Sequence, residues 1–323
     1  MKRRDTLAAL ASMLIWPVQG ATQQQGRMPV VGLLITHPPV DDVVVDIFRA
    51  AMRKYQHEDG KNIKLEVRTA LGRLDRVPAL AEELVRLPVD VLVVVNEVAL
   101  HASRQITRTT PIVMIGFIDD PVALGVIESY RRPGGNITGV FNVNAALSAK
   151  RLEILKETLP NLSRAAVLWD AFSKRQLDEL QDAARALNIR LDLIEVRDAN
   201  DLDGAFKTAK GRTAGAVIMN FSPVFWINRA RIAAIALKTG LPTISDIQLL
   251  AHSGCLLAYG SDSMYNWERG AYFVDRLLKG ANAAELPVER LSKLTLVVNL
   301  KTAKTLGITI PQSILLRADE VIR

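Results

Sequence analysis

Short apolar runs without polar alternation recur along this chain, and most are followed by a stretch of helical periodicity. Val30 to Ile35, Val89 to Val95, Ile112 to Ile118, Ala165 to Trp169 and Ala214 to Met219 are the clearest. A strand with one wet face alternates apolar and polar residues, whereas a strand covered on both faces by helices does not. Strand and helix in alternation therefore predict α/β architecture with doubly wound parallel sheets.

The pattern runs twice. In the first pass, Val43, Ile47, Ala50, Ala51 and Tyr55 recur at helical spacing behind a capping Asp42, and Ile63 to Arg68 alternates as an edge strand would. Helices are expected at Val77 to Arg86 and Ala99 to Thr107. The turn Arg132-Pro133-Gly134-Gly135 then carries the chain away, and the pattern restarts with a helix from Ala145 to Thr158. A helix at Ser173 to Leu187, a strand at Arg190 to Val196 and a helix at Leu202 to Ala209 follow. One helix is expected from Phe225 to Thr239, closed by Gly240, with strands at Pro242 to Ser245 and Cys255 to Tyr259. Met264 to Leu278 (helix) and Leu294 to Leu300 (strand) are too few for a third core, so they must complete sheets already begun. At 323 residues the chain has room for two lobes of similar topology.

With 49% hydrophobic and 23% charged residues, the composition is that of an ordinary globular protein. Formal net charge is +7, and Lys2-Arg3-Arg4-Asp5 carries +2 of it. The remaining basic residues are scattered among acidic ones, without the clustered patch that nucleic-acid binding requires, so no nucleic-acid partner is expected. Lys2-Arg3-Arg4 precedes an uncharged apolar stretch from Leu7 to Val18, then Gly20-Ala21 and Gln23-Gln24-Gln25. That order is the layout of an export signal over residues 1–20, too short for a stable membrane anchor. The alternative, an amphipathic first helix, would show polar alternation that this segment lacks. Arg3-Arg4 is compatible with either the general or the twin-arginine route. Cys255 is the only cysteine, so no internal disulfide forms. Together these features predict a periplasmic protein, released from its signal.

Several catalytic patterns are missing. Ser253 sits in His252-Ser253-Gly254-Cys255, which is no nucleophile elbow, and neither H-E-x-x-H nor a phosphate-binding loop occurs. His37, His57, His101 and His252 are far apart in sequence, which argues against a metal site, and no cofactor is expected. Cys255 opens an apolar run and reads as a small buried hydrophobe. What remains is a set of polar and aromatic residues at the carboxyl ends of strands, where α/β folds bind ligands. These are Thr36 and His37, Asn96 and Glu97, Asp119 and Asp120, Trp169 and Asp170, Asn220 and Phe221, and Ser245 and Asp246. Taken singly, each Asp, Asn or Ser is explained by capping the next helix. As a set with aromatic neighbours, they suit a small organic solute, amino-acid-like or aromatic and amine-bearing.

The run Phe117 to Val140, containing Asp120-Pro121-Val122-Ala123-Leu124-Gly125 and Arg132-Pro133-Gly134-Gly135-Asn136-Ile137-Thr138-Gly139-Val140, resembles a family of ABC transporter substrate-binding proteins, the one that includes tryptophan- and tyrosine-type binding proteins. Lys150 to Glu157, Tyr259-Gly260, Leu278-Lys279-Gly280, Glu285-Leu286-Pro287-Val288-Glu289, Val298 to Ile308 and Leu316 to Ile322 are similar to its later sections. The resemblance implies a type I periplasmic binding protein: two Rossmann-like lobes on a multi-strand hinge. The lobes are then expected at 28–140 plus about 262–290, and at 141–261 plus about 291–323. It also implies a non-catalytic role, in which the protein, a monomer, closes on a solute and delivers it to an inner-membrane permease with its separate ATPase. A sensor that docks on a membrane receptor is the alternative in another class.

Overall fold

The structure, a computed structural model, describes residues 27–36, 43–117, 119–142, 147–171 and 173–323. The export segment, the Asp42 cap and His37 lie outside those residues. The first pass comprises β1 (Val30–Ile35), α1 (Val43–Arg53), β2 (Lys64–Thr69), α2 (Val77–Arg86), β3 (Val91–Val95), α3 (Glu97–Ile106), β4 (Ile112–Phe117) and β5 (Ile137–Asn142). The second comprises α4 (Leu147–Thr158), β6 (Arg164–Trp169), α5 (Leu177–Ala186), β7 (Arg190–Glu195), α6 (Asp201–Gly211), β8 (Val217–Met219), α7 (Pro223–Ile227), α8 (Arg229–Thr239), β9 (Thr243–Ser245), α9 (Gln248–His252) and β10 (Leu257–Ser261). The tail adds α10 (Ser263–Leu278), β11 (Glu289–Leu291), β12 (Leu294–Asn299), α11 (Leu300–Thr305), α12 (Gln312–Leu315) and β13 (Glu320–Ile322).

Two sheets result, with strand orders β11-β5-β4-β3-β1-β2 and β13-β12-β10-β9-β8-β6-β7. Every pairing is parallel except β10 with β12. The strand order reverses beside β1 in one sheet and beside β6 in the other, and helices cover both faces of each, as the unbroken apolar runs require. Central strands β1, β3 and β8 are buried along their whole length, whereas edge strands β2 and β7 are half-exposed and carry the polar residues. This is a mixed α/β fold of two parallel-sheet lobes.

The tail does what too few elements must do. Helix α10 packs on α1 and on β3, β4 and β5, and β11 pairs with β5, so both finish the first sheet. Strands β12 and β13 finish the second. The chain therefore passes between the sheets three times, after β5, after β10 and after β11. The last two crossings run side by side, with Ser261 paired to Leu294, Asp262 N–H donating to Lys293 O at 3.0 Å, and Lys293 Nζ 2.7 Å from the Asp262 carboxylate.

Two local expectations change. Ile137 to Val140, read as the continuation of a turn, is a strand buried along its length. The expected single helix from Phe225 is two, because Ser222 caps α7, which starts two residues before Phe225, and Asn228 interrupts the ladder. The Asn228 side chain donates to Val224 O at 2.8 Å, which competes with the regular helical bonds there. Cys255 is fully buried, and that burial pushes its thiol up to about 12. Native protein is thus expected to resist a thiol-reactive dye at pH 8 and to react with one equivalent once unfolded. Rapid labelling of the native state would contradict the buried placement.

Candidate functional site

A cavity of about 140 Å3 lies between the two lobes at the carboxyl ends of their strands. From the first lobe it is lined by Val44 at the start of α1, Asn96 after β3, Ile115 and Gly116 of β4, Asn142 at the end of β5, and Asn266 and Trp267 of α10. From the second come Gln176 in the turn before α5, Phe221 after β8, Trp226 of α7, Asp246 and Gln248 after β9, and Ser261 at the end of β10. One apolar cluster contains Val44 and Trp267 on one side and Trp226 and Ile247 on the other, so the wall is continuous across the cleft. The volume is comparable with the ~150 Å3 of an engineered cavity that takes up benzene, so the space is that of a ring.

The strand ends explain how the polar groups arrive here. Asn96 combines a positive φ of 76° with an extended ψ of 175°, a strained conformation found disproportionately at ligand sites. Its Oδ1 accepts from the N–H groups of Val98 and Ala99 at 3.1 and 3.2 Å, capping α3, and its Nδ2 donates to Thr36 Oγ1 at 2.5 Å. Asp262 caps α10 by accepting from Tyr265 N–H at 3.0 Å, which fixes the turn of helix that carries Asn266 and Trp267. Trp267 is held from behind by Phe48, with ring centroids 5.8 Å apart.

Asp246 is the one ionisable side chain among the described residues of the wall. Its Oδ2 accepts from Phe221 N–H at 3.1 Å, and its Oδ1 accepts from Ser245 Oγ at 3.5 Å. Burial pushes the carboxyl above its ordinary range, against the pull of the Arg151 guanidinium and these hydrogen bonds. Arg151 lies behind the wall, fully buried, and that burial lowers its pKa while Asp246 opposes the shift. Its Nη2 donates to Ser148 Oγ and to Asn220 Oδ1, both at 2.9 Å. The site thus has an apolar, aromatic body with a carboxylate at one wall and a compensating cation behind it.

Of the residues expected from strand ends, the structure brings Asn96, Phe221 and Asp246 together in this wall. Thr36 and Ser245 stand immediately behind it, through their bonds to Asn96 and Asp246. Asn220 supports Arg151. Asp170 accepts from Ser173 N–H at 3.0 Å and from Ser222 Oγ at 2.5 Å, tying two strand ends together. Trp169 packs on the far apolar cluster of the second lobe. Asp120 is exposed, accepts from Val122 and Ala123 N–H and from Tyr130 OH, and is held below the usual carboxylate range chiefly by Tyr130. Glu97 begins α3, and Asp119 precedes the Asp120 turn; neither lines the cavity. Asn142, Gln176, Trp226, Asn266 and Trp267 were not anticipated. The cluster Ser261 to Trp267, polar and aromatic directly after a strand end, is the sequence signal that could have found two of them.

A family model for ABC transporter substrate binding protein matches residues 30–322. The chain belongs to that family. The Clostridioides difficile tyrosine-binding protein is 23% identical over 285 residues, 85% of this chain and 79% of the relative. A conserved domain protein from Vibrio cholerae superimposes with a TM-score of 0.79 at 22% identity, covering 91% of this chain and 100% of its own. An ABC domain from Streptococcus pneumoniae in complex with L-Trp gives 0.77 at 22% identity, with 91% and 99% covered. The fold is that of type I periplasmic binding proteins, and members of this substrate-binding family are solute binders rather than enzymes.

Proposed function

We propose that this substrate-binding protein captures a small aromatic solute bearing an amino group and delivers it to an ABC importer. The observation that carries the reading is the cavity itself, ring-sized, walled by Phe221, Trp226 and Trp267, and supplied with the Asp246 carboxylate. A positive group held by that carboxylate, in a site of low dielectric, pairs charge with charge. Tyrosine, which the Clostridioides difficile relative is named for binding, and the L-Trp held by the Streptococcus pneumoniae domain fit the same description. Because both lobes contribute walls, a solute that touches both stabilises the closed arrangement over the open one. The basic and apolar start of the chain supports export through a signal over residues 1–20, a periplasmic location, and partnership with an inner-membrane permease and its ATPase.

The test is a thermal-shift screen of the purified protein against aromatic amino acids, aromatic amines, nucleosides, purines and polyamines. A ligand at 100 times its dissociation constant adds about 2.7 kcal/mol, and a rise in melting temperature of about 4 °C follows. Trp226 and Trp267 face the cavity, so the same ligand should change the intrinsic tryptophan fluorescence. Hits confined to polyamines or nucleosides would replace the aromatic-amine class with theirs.

A further inference from the structure

Two side-chain amides of the cavity wall are turned the same way. The oxygens of Asn142 and Gln176 are sealed in the interior without a hydrogen-bond partner, whereas Asn142 Nδ2 and Gln176 Nε2 are neither sealed nor bonded to any described residue. Both residues are more than nine-tenths buried, at 3% and 7% exposure, and both line the cavity, so what stays open of each amide is its NH2 group, on the cavity side. Reversing either amide would shut away two N–H donors in place of one oxygen, and buried orphan N–H groups are the rarer kind. Native proteins seldom hold polar groups in such places without a use. Asn142 ends β5 where the chain leaves the first sheet, and Gln176 closes the turn that leads into α5 of the second lobe. Each lobe therefore presents an uncommitted amide donor to the cavity whose wall also holds the Asp246 carboxylate.

We propose that Asn142 and Gln176 donate, one from each lobe, to an acceptor oxygen of the solute, the carboxylate of an amino acid or the carbonyl of its neutral amide, so that this group ties the lobes together. The inference rests on the solute-binding reading above and adds a second recognised group to the amine. A carboxylate offers about four lone-pair sites and a carbonyl oxygen two, enough for donors arriving from two sides. Asp246 supplies the complementary end, because an ionised carboxylate only accepts. A solute with both groups is thereby oriented, its amine against Asp246 and its oxygen against the amides; the reverse pose would set oxygen against oxygen and N–H against N–H. The Arg151 guanidinium behind the wall already offsets the charge of Asp246, so a zwitterion enters without adding net charge to the cleft. A solute without the oxygen leaves both donors unpaired, which is how a hydrogen-bonding site rejects an analogue lacking the group it was built for.

The probes are L-tryptophan, tryptamine, which keeps the ring and the amine without the oxygen, and L-tryptophanamide, which has a neutral carbonyl. Calorimetry on the purified protein should show L-tryptophan binding at least about 100-fold more tightly than tryptamine. L-tryptophanamide within about 10-fold of L-tryptophan assigns a carbonyl-type acceptor, and one as weak as tryptamine assigns a carboxylate. Asn142→Leu and Gln176→Met remove one donor each with little change of volume, and each should weaken L-tryptophan by about 10-fold to 100-fold while leaving tryptamine unchanged. Asn142→Asp and Gln176→Glu put an acceptor where the donor stood, and should weaken L-tryptophan at least as much without weakening tryptamine. A folding defect would weaken both probes alike, and melting temperatures of all four variants report folding independently. Equal affinities of the wild type for L-tryptophan and tryptamine, or apolar variants that are folded and bind L-tryptophan as the wild type does, would overturn the amide pair and leave the protein a binder of aromatic amines. Failure of all three probes on the wild type, alongside a hit from another class in the thermal-shift screen, would overturn the aromatic-amine reading and this inference with it.

Discussion

Arg151→Ala is expected to lower the unfolding free energy by about 3–5 kcal/mol. The side chain is fully buried, among the largest in the interior, and its removal leaves a cavity that the surrounding α4 and β10 cannot fill. It also strands its partners. Asn220 Oδ1 loses its donor, Tyr259 O loses the Nη1 bond at 3.4 Å, and Asp246 is left in the cavity wall without the cation that offsets its burial. Breaking a buried pair costs more than the pair itself contributes, because the surviving charge keeps its desolvation penalty. Arg151→Met retains most of the volume and should cost less, which separates the packing loss from the electrostatic one. Urea unfolding reads both, as a lower midpoint at an unchanged slope. A loss under about 1 kcal/mol for the alanine variant would mean that the guanidinium contributes little where it sits.

Gly139→Ala comes second, at about 2–4 kcal/mol. Gly139 lies inside β5 with φ +124°, and a Cβ there would stand 2.4 Å from Met114 O and 2.7 Å from Met114 N. Those are backbone atoms of the neighbouring strand, so no side chain can swing aside, and β5 or β4 must move. The pairing of the two strands already shifts register between Met114 and Phe117, which shows how little slack remains. Gly135→Ala, with nothing within 4 Å of the added carbon, is the control and should change stability by less than about 0.5 kcal/mol. Equal melting temperatures for the two variants would remove the close approach as an explanation.

That glycine also shows where sequence reasoning runs out. Strands β1, β3 and β4 are unbroken apolar runs buried on both faces, and the helices that follow them have clear periodicity, so the alternation and the lobe architecture were legible. Strand β5 contains Thr138 and Gly139 after a Pro-Gly-Gly turn, which reads as loop until the neighbouring backbone is known to press on it. Strands β11 and β13 have three residues each and sit at sheet edges, where register with a partner defines them rather than apolar content. The site divides the same way. Asn96, Phe221 and Asp246 follow strands that could be seen, whereas Asn142 ends the strand that could not, and Gln176, Trp226 and Trp267 lie on turns or helices. Strand-end position located the cleft; it did not separate a residue that faces a ligand from one that caps a helix, and Asp120 and Asp170 serve their own turns.

The return of α10 and β11 to the first sheet sets an order of assembly. The face of β3, β4 and β5 that meets α10 stays bare until residue 278 has been made, and the edge beyond β5 stays open until residue 291. The lobe that leaves the ribosome first is therefore the one that must wait, while most of the second sheet is encoded in a single uninterrupted stretch from β6 to β10. A nascent chain stopped anywhere before Ser263 presents an unfinished apolar surface, the kind that chaperones bind and that aggregates without them. The last fifth of the polypeptide thus acts as a built-in checkpoint on the first, so that a compact amino-terminal half is a sign of a chain completed almost to its end.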